Sequence, residues 1–258
     1  MDALTTYRLF AANSERTLQR ISQDTIVSRE VEYYRENIQS VKSADELIAD
    51  NRLLKFALEA YGLGEMSYAK AYIGKLLKEG VDNDDAFANQ LADPRYKEFV
   101  EDFNFARYNT ATTSFDRTQE GVVSRFYQQR VESEAGNENV GARLAIYFER
   151  KVADIDSALD ILGDTALLQV VQTAYGLPAQ MSFASIERQE EIINERLDVS
   201  DLSDAEFVDD LITRFIALWD MQNPDTGSAT PLVAATSTGI QGLSLDLIAS
   251  VQSIKSRL

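Results

Sequence analysis

DNRLLKFALEAYGL, residues 50–63, occurs a second time as DTALLQVVQTAYGL, residues 164–177. Leu53, Leu54, Ala60, Tyr61, Gly62 and Leu63 recur as Leu167, Leu168, Ala174, Tyr175, Gly176 and Leu177, at a constant offset of 114 residues. Each copy reads as a helix with both ends marked. Asp50 and Asp164 stand at the N-cap, where a short carboxylate accepts from free N–H groups of the first turn and meets the positive end of the dipole. Leu53, Leu54, Ala57, Leu58 and Tyr61 share one face at helical period. Gly62 and Gly176 then take the C′ place, where a left-handed residue closes a helix at least cost. A functional reading of the same pairs makes Asp50 and Asp164 twin catalytic carboxylates, or Tyr61 and Tyr175 twin binding tyrosines. Cap and core account for the Asp, the leucines, the Tyr and the Gly together, and are preferred.

The likeness extends outward. Tyr33 and Tyr34 match Tyr147 and Phe148, and Leu47–Ile48 match Ile161–Leu162, at the same offset. Met66-Ser67-Tyr68-Ala69 matches Met181-Ser182-Phe183-Ala184 at offset 115, and Phe99, Val100 and Phe103 can be laid on Phe215, Ile216 and Trp219. Aligned apolar positions on both sides favour a duplicated unit over chance, although two copies do not make a solenoid. The fold expected is all-α: a helical bundle of two related multi-helix units, residues 1–110 and 111–222.

Composition bounds the function classes. The chain has 258 residues, 45% hydrophobic and 26% charged, which suits a folded globular protein with a full core. Only 12 Gly and 4 Pro are present, which favours long helices over many short strands. Net charge is −17 and the pI is near 4.4, so phosphate backbones and anionic membrane surfaces are repelled and nucleic-acid binding is not expected. Residues 1–110 carry 14 basic and 19 acidic side chains, net −5; residues 111–258 carry 11 and 23, net −12. The acidic excess peaks between Glu187 and Asp210, as a solvated face or as a docking surface for a basic partner.

Cysteine and histidine are both absent. That removes disulfides, thiolate nucleophiles, Cys and His metal sites and every Ser-His or Cys-His pair. Absence of Cys fits the cytosol and also fits proteins exported unfolded through narrow channels. No cleavable signal peptide opens the chain and no apolar run approaches a membrane span. There is no Gly-rich phosphate loop. Asp82-Asn83-Asp84-Asp85 begins like a calcium loop, but Phe87 stands where Gly is required and no Glu closes it. A helix start running to Leu91 is expected instead. Paired carboxylates stay open as a carboxylate-dependent hydrolase, with nothing singling out a pair. No catalytic, cofactor-binding or metal residue is therefore assigned, and no cofactor.

Along the chain, residues 1–21 read as one helix with a thin apolar stripe of Leu4, Tyr7, Leu9, Phe10, Leu18 and Ile21. Ser43 with Glu46, and Ser203 with Glu206, read as capping boxes. Asp93-Pro94 starts a helix with the aromatic stripe Tyr96, Phe99 and Phe103, more often core than binding box. Asn109–Ser114 is expected as a polar linker and residues 134–139 as a loop. Residues 223–242, rich in Pro, Thr, Ser and Gly, read as a flexible linker, and residues 243–258 as a C-terminal amphipathic helix. Stripes at both termini would either cover the core or pair between subunits.

The runs VSREVEYYRENI (27–38), IADNRLLKFALEAYGL (48–63), MSYAKAYIGKLLKEGVD (66–82) and FANQLADPRYKEFVEDFNF (87–105) resemble a bacterial family known as domain of unknown function 1217. The resemblance covers about residues 5–222. It implies an alphaproteobacterial protein whose gene lies in or near flagellar clusters, and hence a link to flagellar assembly or motility. It carries over no catalytic or binding residue. Lack of Cys, slim terminal helices and a Ser/Thr arm look like flagellar axial proteins. The Asn-rich motif of many rod and hook proteins is not found, which leaves accessory roles open. The expectation is a non-enzymatic structural or interaction protein of the flagellum, cytoplasmic or exported without a cleavable signal. Its partners would be protein, possible flagellar components included, or its own copies through residues 1–21 and 243–258. The alternative is a cytoplasmic adaptor or export chaperone holding a helical partner between the two units.

Overall fold

Both quoted stretches are helices, Asn51–Ala60 and Thr165–Tyr175, in the computed structural model, which describes residues 1–224. Asp50 accepts from the Arg52 and Leu53 N–H groups at 2.9 and 3.0 Å. Asp164 accepts from those of Ala166 and Leu167 at 2.8 and 3.1 Å. Gly62 (φ 69°) and Gly176 (φ 64°) are left-handed. That turn lets the Leu63 N–H reach Leu58 O and the Leu177 N–H reach Gln172 O, both at 2.8 Å, closing each helix with a six-to-one bond.

In chain order the helices are α1 (Ala3–Ala12), α2 (Ser14–Gln23), α3 (Thr25–Asn37), α4 (Ala44–Ala49), α5 (Asn51–Ala60), α6 (Lys70–Glu79) and α7 (Pro94–Asp102). There follow α8 (Phe105–Tyr108), α9 (Glu120–Glu138), α10 (Val140–Lys151), α11 (Ala158–Gly163), α12 (Thr165–Tyr175), α13 (Ile186–Asn194) and α14 (Ala205–Gln222). Short 3-10 turns join them, and no strand occurs among the described residues, so the fold is all-α. The order of elements from α3 to α7 is also the order from α10 to α14, with 3-10 turns at Ile38–Ser40, Gly64–Tyr68 and Phe87–Gln90 answered by Val152–Asp154, Ala179–Phe183 and Val199–Ser203.

Two apolar cores form within residues 1–223, which make one compact unit. The first gathers Tyr34, Leu54, Phe56, Phe99, Phe103 and Phe126, with Phe56 stacked between Tyr34 (4.5 Å between centroids) and Phe126 (4.1 Å). The second gathers Phe148, Ile161, Val170, Ile212 and Phe215. The expected boundary at 110/111 falls in a 3-10 turn, Asn109–Ser114, rather than in a free linker. Thr112 and Thr113 are buried there, and the Thr113 hydroxyl donates to Val41 O at 2.7 Å. The two cores part elsewhere: α9 completes the first, while Ala3 and Tyr7 of α1 belong to the second.

Several local expectations are corrected. Residues 1–21 form two helices, α1 and α2, broken at Asn13. Their stripe is largely buried inside the chain: Ala3 N donates to Asp220 at 3.1 Å and the Tyr7 hydroxyl to Glu149 at 3.1 Å, and Phe10 and Ile21 are buried in the first core. Residues 134–138 continue α9, because Ala135 on its apolar side is buried and carries the helix past the Gly. Residues 83–86 are turn, with a 3-10 turn at Phe87–Gln90 in place of a helix to Leu91. Asp204, not Ser203, caps α14, accepting from Glu206 N at 2.9 Å; the Ser203 hydroxyl is taken by Ser200 O at 2.8 Å. Ser43 accepts from Glu46 N at 3.2 Å, and Glu46 reaches one residue further back, to the Lys42 N–H at 2.7 Å. The linker expected from residue 223 lies, beyond Pro224, outside the described residues, as does the helix expected over 243–258.

Candidate functional site

Where the two cores meet, α5, α7, α9 and α10 present charged groups to one another. Tyr61, the last side chain of α5's buried face, donates its hydroxyl to Asp102 Oδ2 at 2.6 Å. Burial pushes the Tyr61 hydroxyl well above its usual pKa, and the Asp102 charge adds to it. Arg125 on α9 lies over the Tyr61 ring at 5.2 Å and pairs with Asp102 at 3.5 Å. Lys151 on α10 donates to Glu98 on α7 at 2.7 Å. Glu132, only 2% exposed, accepts from Arg150 Nε at 2.6 Å and from Gln129 at 3.2 Å. Charges taken this far out of water persist only when paired and hydrogen-bonded. The seam is a cross-link between the cores.

Two clefts open beside it. One, of about 440 Å³, is lined by Asp93, Arg95, Glu132, Arg143, Tyr147 and Asp164 among others. The other, of about 670 Å³, takes in Lys55, Glu59, Tyr68, Arg130 and Arg143. The carboxylates of the first cleft already have structural donors. Asp164 accepts at Oδ1 from the Ala166 and Leu167 N–H groups and at Oδ2 from the Tyr147 hydroxyl at 2.5 Å, and Glu132 is held as above. Asp93 caps α7 and pairs with Arg95 at 2.7 Å. Among the described residues, no group of three or more Asp or Glu is gathered as a metal site would need.

The paired candidates of the sequence behave as caps and core. The Tyr33 hydroxyl donates to Asp50 Oδ2 at 2.7 Å, as that of Tyr147 does to Asp164. Burial alone would raise the Asp50 carboxyl, but the Leu53 and Arg52 N–H groups and the Tyr33 hydroxyl outweigh it and hold the group below its usual pKa. Tyr61 is buried in the seam, while Tyr175 is half-buried under the Arg214 guanidinium at 5.5 Å. This tyrosine–cap bond was missed from sequence. Its signal was present: both tyrosines precede their aspartates by 17 residues.

The outer surface carries a second matched pair. Tyr68 is 81% exposed and Phe183 is 91% exposed. Each ends a 3-10 turn, Gly64–Tyr68 or Ala179–Phe183, two residues after a methionine that faces inward. The turn fixes the outward aim. Met66 N donates to Leu63 O at 2.8 Å and Met181 N to Pro178 O at 3.0 Å, and each following alanine N–H returns to its methionine carbonyl at 2.9 Å. A large aromatic held almost wholly in water by ordered backbone gains nothing for the monomer. Ile186, next along the chain on α13, is 50% exposed.

Among the described residues no helix is long and apolar enough to cross a membrane. A family model described as protein of unknown function (DUF1217) matches residues 60–208. The crystal structure of an Agrobacterium tumefaciens protein superposes with a TM-score of 0.79 at 44% identity, over 86% of this chain and 94% of that one. No curated protein matches significantly. The chain belongs to the DUF1217 family.

Proposed function

We propose that this chain is a non-enzymatic interaction protein of the bacterial flagellum, acting in assembly or motility through contacts with other proteins. The observation that carries the interaction role is the pair of outward aromatics, Tyr68 and Phe183, held at matching places by ordered turns. The flagellar setting rests on the gene neighbourhood that the family resemblance implies. The net charge of −17 argues against nucleic acid as the partner. The carboxylates of the cleft act as caps and ion-pair partners, which supports a non-enzymatic role over a carboxylate-dependent hydrolase. The test is swimming of a clean deletion strain, with complementation by the intact gene. Loss of swimming that complementation restores is the expected result; normal swimming overturns the flagellar reading.

A second reading, a cytoplasmic adaptor or export chaperone, is favoured by one feature. An open groove of about 270 Å³ between α1–α2 and α9–α10 is lined by Phe10, Leu18, Val131 and Ile146, apolar side chains of the kind an amphipathic helix covers. Filament counts on the deletion strain separate assembly from rotation: an assembly role changes filament number, whereas a motility factor leaves filaments that do not turn. Pull-down of a helical partner from outside the flagellum, beside normal swimming, would favour the adaptor reading.

A further inference from the structure

We propose that the outer face of α13, with Phe183 and Ile186 as apolar anchors, is a docking surface for a basic amphipathic segment of a partner protein. The inference deepens the interaction role proposed above and rests on it.

The face is unusual for what its charges do. Glu187, Glu191 and Glu195 follow one another at i, i+4 and i+8 along α13 and its C-cap, all three exposed. Like charges four apart on a helix repel. Glu187 sits in the first turn, where the dipole favours it, but Glu195 sits at the end the dipole disfavours. Arg188 is the one cation in the helix; it lies 2.7 Å from Glu191 and 3.9 Å from Glu195. The inner face is ordinary: Ile193 and Leu197 are buried in the second core. Arg188 answers only part of the row, so this face stays acidic, and Phe183 and Ile186 beside it leave apolar surface in water.

The corresponding helix of the first region lacks such a stripe. α6 also follows an exposed aromatic, Tyr68, but its charged residues are three lysines and one Glu, and Lys75 and Lys78 find partners within the chain. Lys75 pairs with Glu79 at 3.8 Å and lies over the Phe87 ring at 4.0 Å, and Lys78 pairs with Asp45 at 2.6 Å. The turn alone does not demand the acidic stripe. Acids flanking two apolar anchors match a helix with Lys or Arg beside its apolar face, whose approach such a field also accelerates. A second copy of this chain is disfavoured, since two molecules of net −17 repel.

The test uses the full chain and a fluorescein-labelled synthetic amphipathic helix of leucine and lysine, followed by anisotropy. Two control peptides carry Glu for Lys, or Ser for Leu; the second reads attraction by net charge alone. The Leu/Lys peptide should bind more tightly than either. Phe183→Ala should weaken it by about tenfold, as for loss of an aromatic anchor. Glu191→Gln with Glu195→Gln should weaken it and flatten its salt dependence. Ile26→Ala, at an exposed apolar residue of α3, should leave it unchanged. The proposal is overturned if the Leu/Lys peptide does not bind, if neither Phe183→Ala nor the double Glu variant weakens it, or if Ile26→Ala weakens it equally. Sedimentation showing self-association that Phe183→Ala abolishes would assign the face to a second copy, and also overturns it. Peptide binding does not depend on motility. A swimming deletion strain would remove the flagellar setting alone, while a failed titration beside a non-swimming strain would place the contact elsewhere.

Discussion

Tyr61 and Tyr175 stand at the same place in the same signature, yet beyond a guanidinium over each ring, Arg125 at 5.2 Å and Arg214 at 5.5 Å, their surroundings differ. Tyr61 is sealed beneath α9, its ring edge-on to Phe99 at 5.4 Å and its hydroxyl on Asp102. Tyr175 is half-buried beside Arg214 of α14. The difference lies in the helices that cover them. In the alignment that lays Phe99 on Phe215, the place of Asp102 falls on Leu218, so the second region has no carboxylate there to receive a tyrosine hydroxyl. The cap, the left-handed glycine and the Tyr–Asp tie recur because they depend on a few residues within one local stretch. Burial, charge and ring packing do not recur, because each depends on a different neighbouring helix.

The sharpest way to break that comparison is in the cores. Phe56 is stacked between two rings, whereas its counterpart at offset 114, Val170, is a fully buried aliphatic side chain of the second core. Phe56→Ala should cost about 3–5 kcal/mol, from lost transfer energy and a cavity that rigid rings cannot fill. Val170→Ala should cost less, near the lower end of the range for burying one small aliphatic side chain, about 1.5–3 kcal/mol. Urea unfolding measures both. Equal losses would mean that the stacked rings add nothing beyond area.

A smaller effect appears at high pH. The hydroxyls of Tyr34 and Tyr61 are raised well above their ordinary value, in each case first by burial and then by the charge of Asp102. A group whose folded pKa is raised holds its proton longer in the folded chain. Its stabilisation is complete below the unfolded value of about 10 and declines as pH rises past it. The protein should therefore lose stability above about pH 10, and Tyr61→Phe should make that decline shallower while lowering stability at neutral pH. An unchanged alkaline slope in Tyr61→Phe would show that the seam is wetter than its hydrogen bonds imply.

The all-α class and the helices around Asp50 and Asp164 were legible because their determinants are local: an N-cap aspartate, an apolar face at helical period and a glycine free to adopt positive φ. The cap expected at Ser203 falls on Asp204, and while Ser43 caps its helix as expected, the returning Glu46 carboxylate takes the Lys42 N–H instead. Ser, Asp and Glu lie so close there that several acceptors compete for the same N–H, and only the backbone decides which reaches it. The break at Asn13 left no mark stronger than one polar residue in an otherwise periodic run. The seam was illegible for a different reason. Glu98, Asp102, Arg125, Glu132, Arg150 and Lys151 look like the surface charges of three separate amphipathic helices, and nothing in their spacing says that the helices turn those faces toward one another. The outward aim of Phe183 was hidden likewise, since an apolar residue beside Met181 reads as core until the 3-10 turn divides the two.

The smallest stability effect is the most informative for function. Phe183→Ala should change the unfolding free energy by no more than about 0.5 kcal/mol, as for a surface substitution remote from caps and core. Tyr68→Ala should be similarly silent in thermal unfolding. An aromatic that stabilises its own fold cannot be removed without loss, so silence in both would leave contacts with other molecules as the physical reason for holding these rings in water. A marked loss in Phe183→Ala alone would mean that the ring already packs within its own chain. The second region would then differ from the first in having its aromatic covered, and α13 would no longer be free to dock.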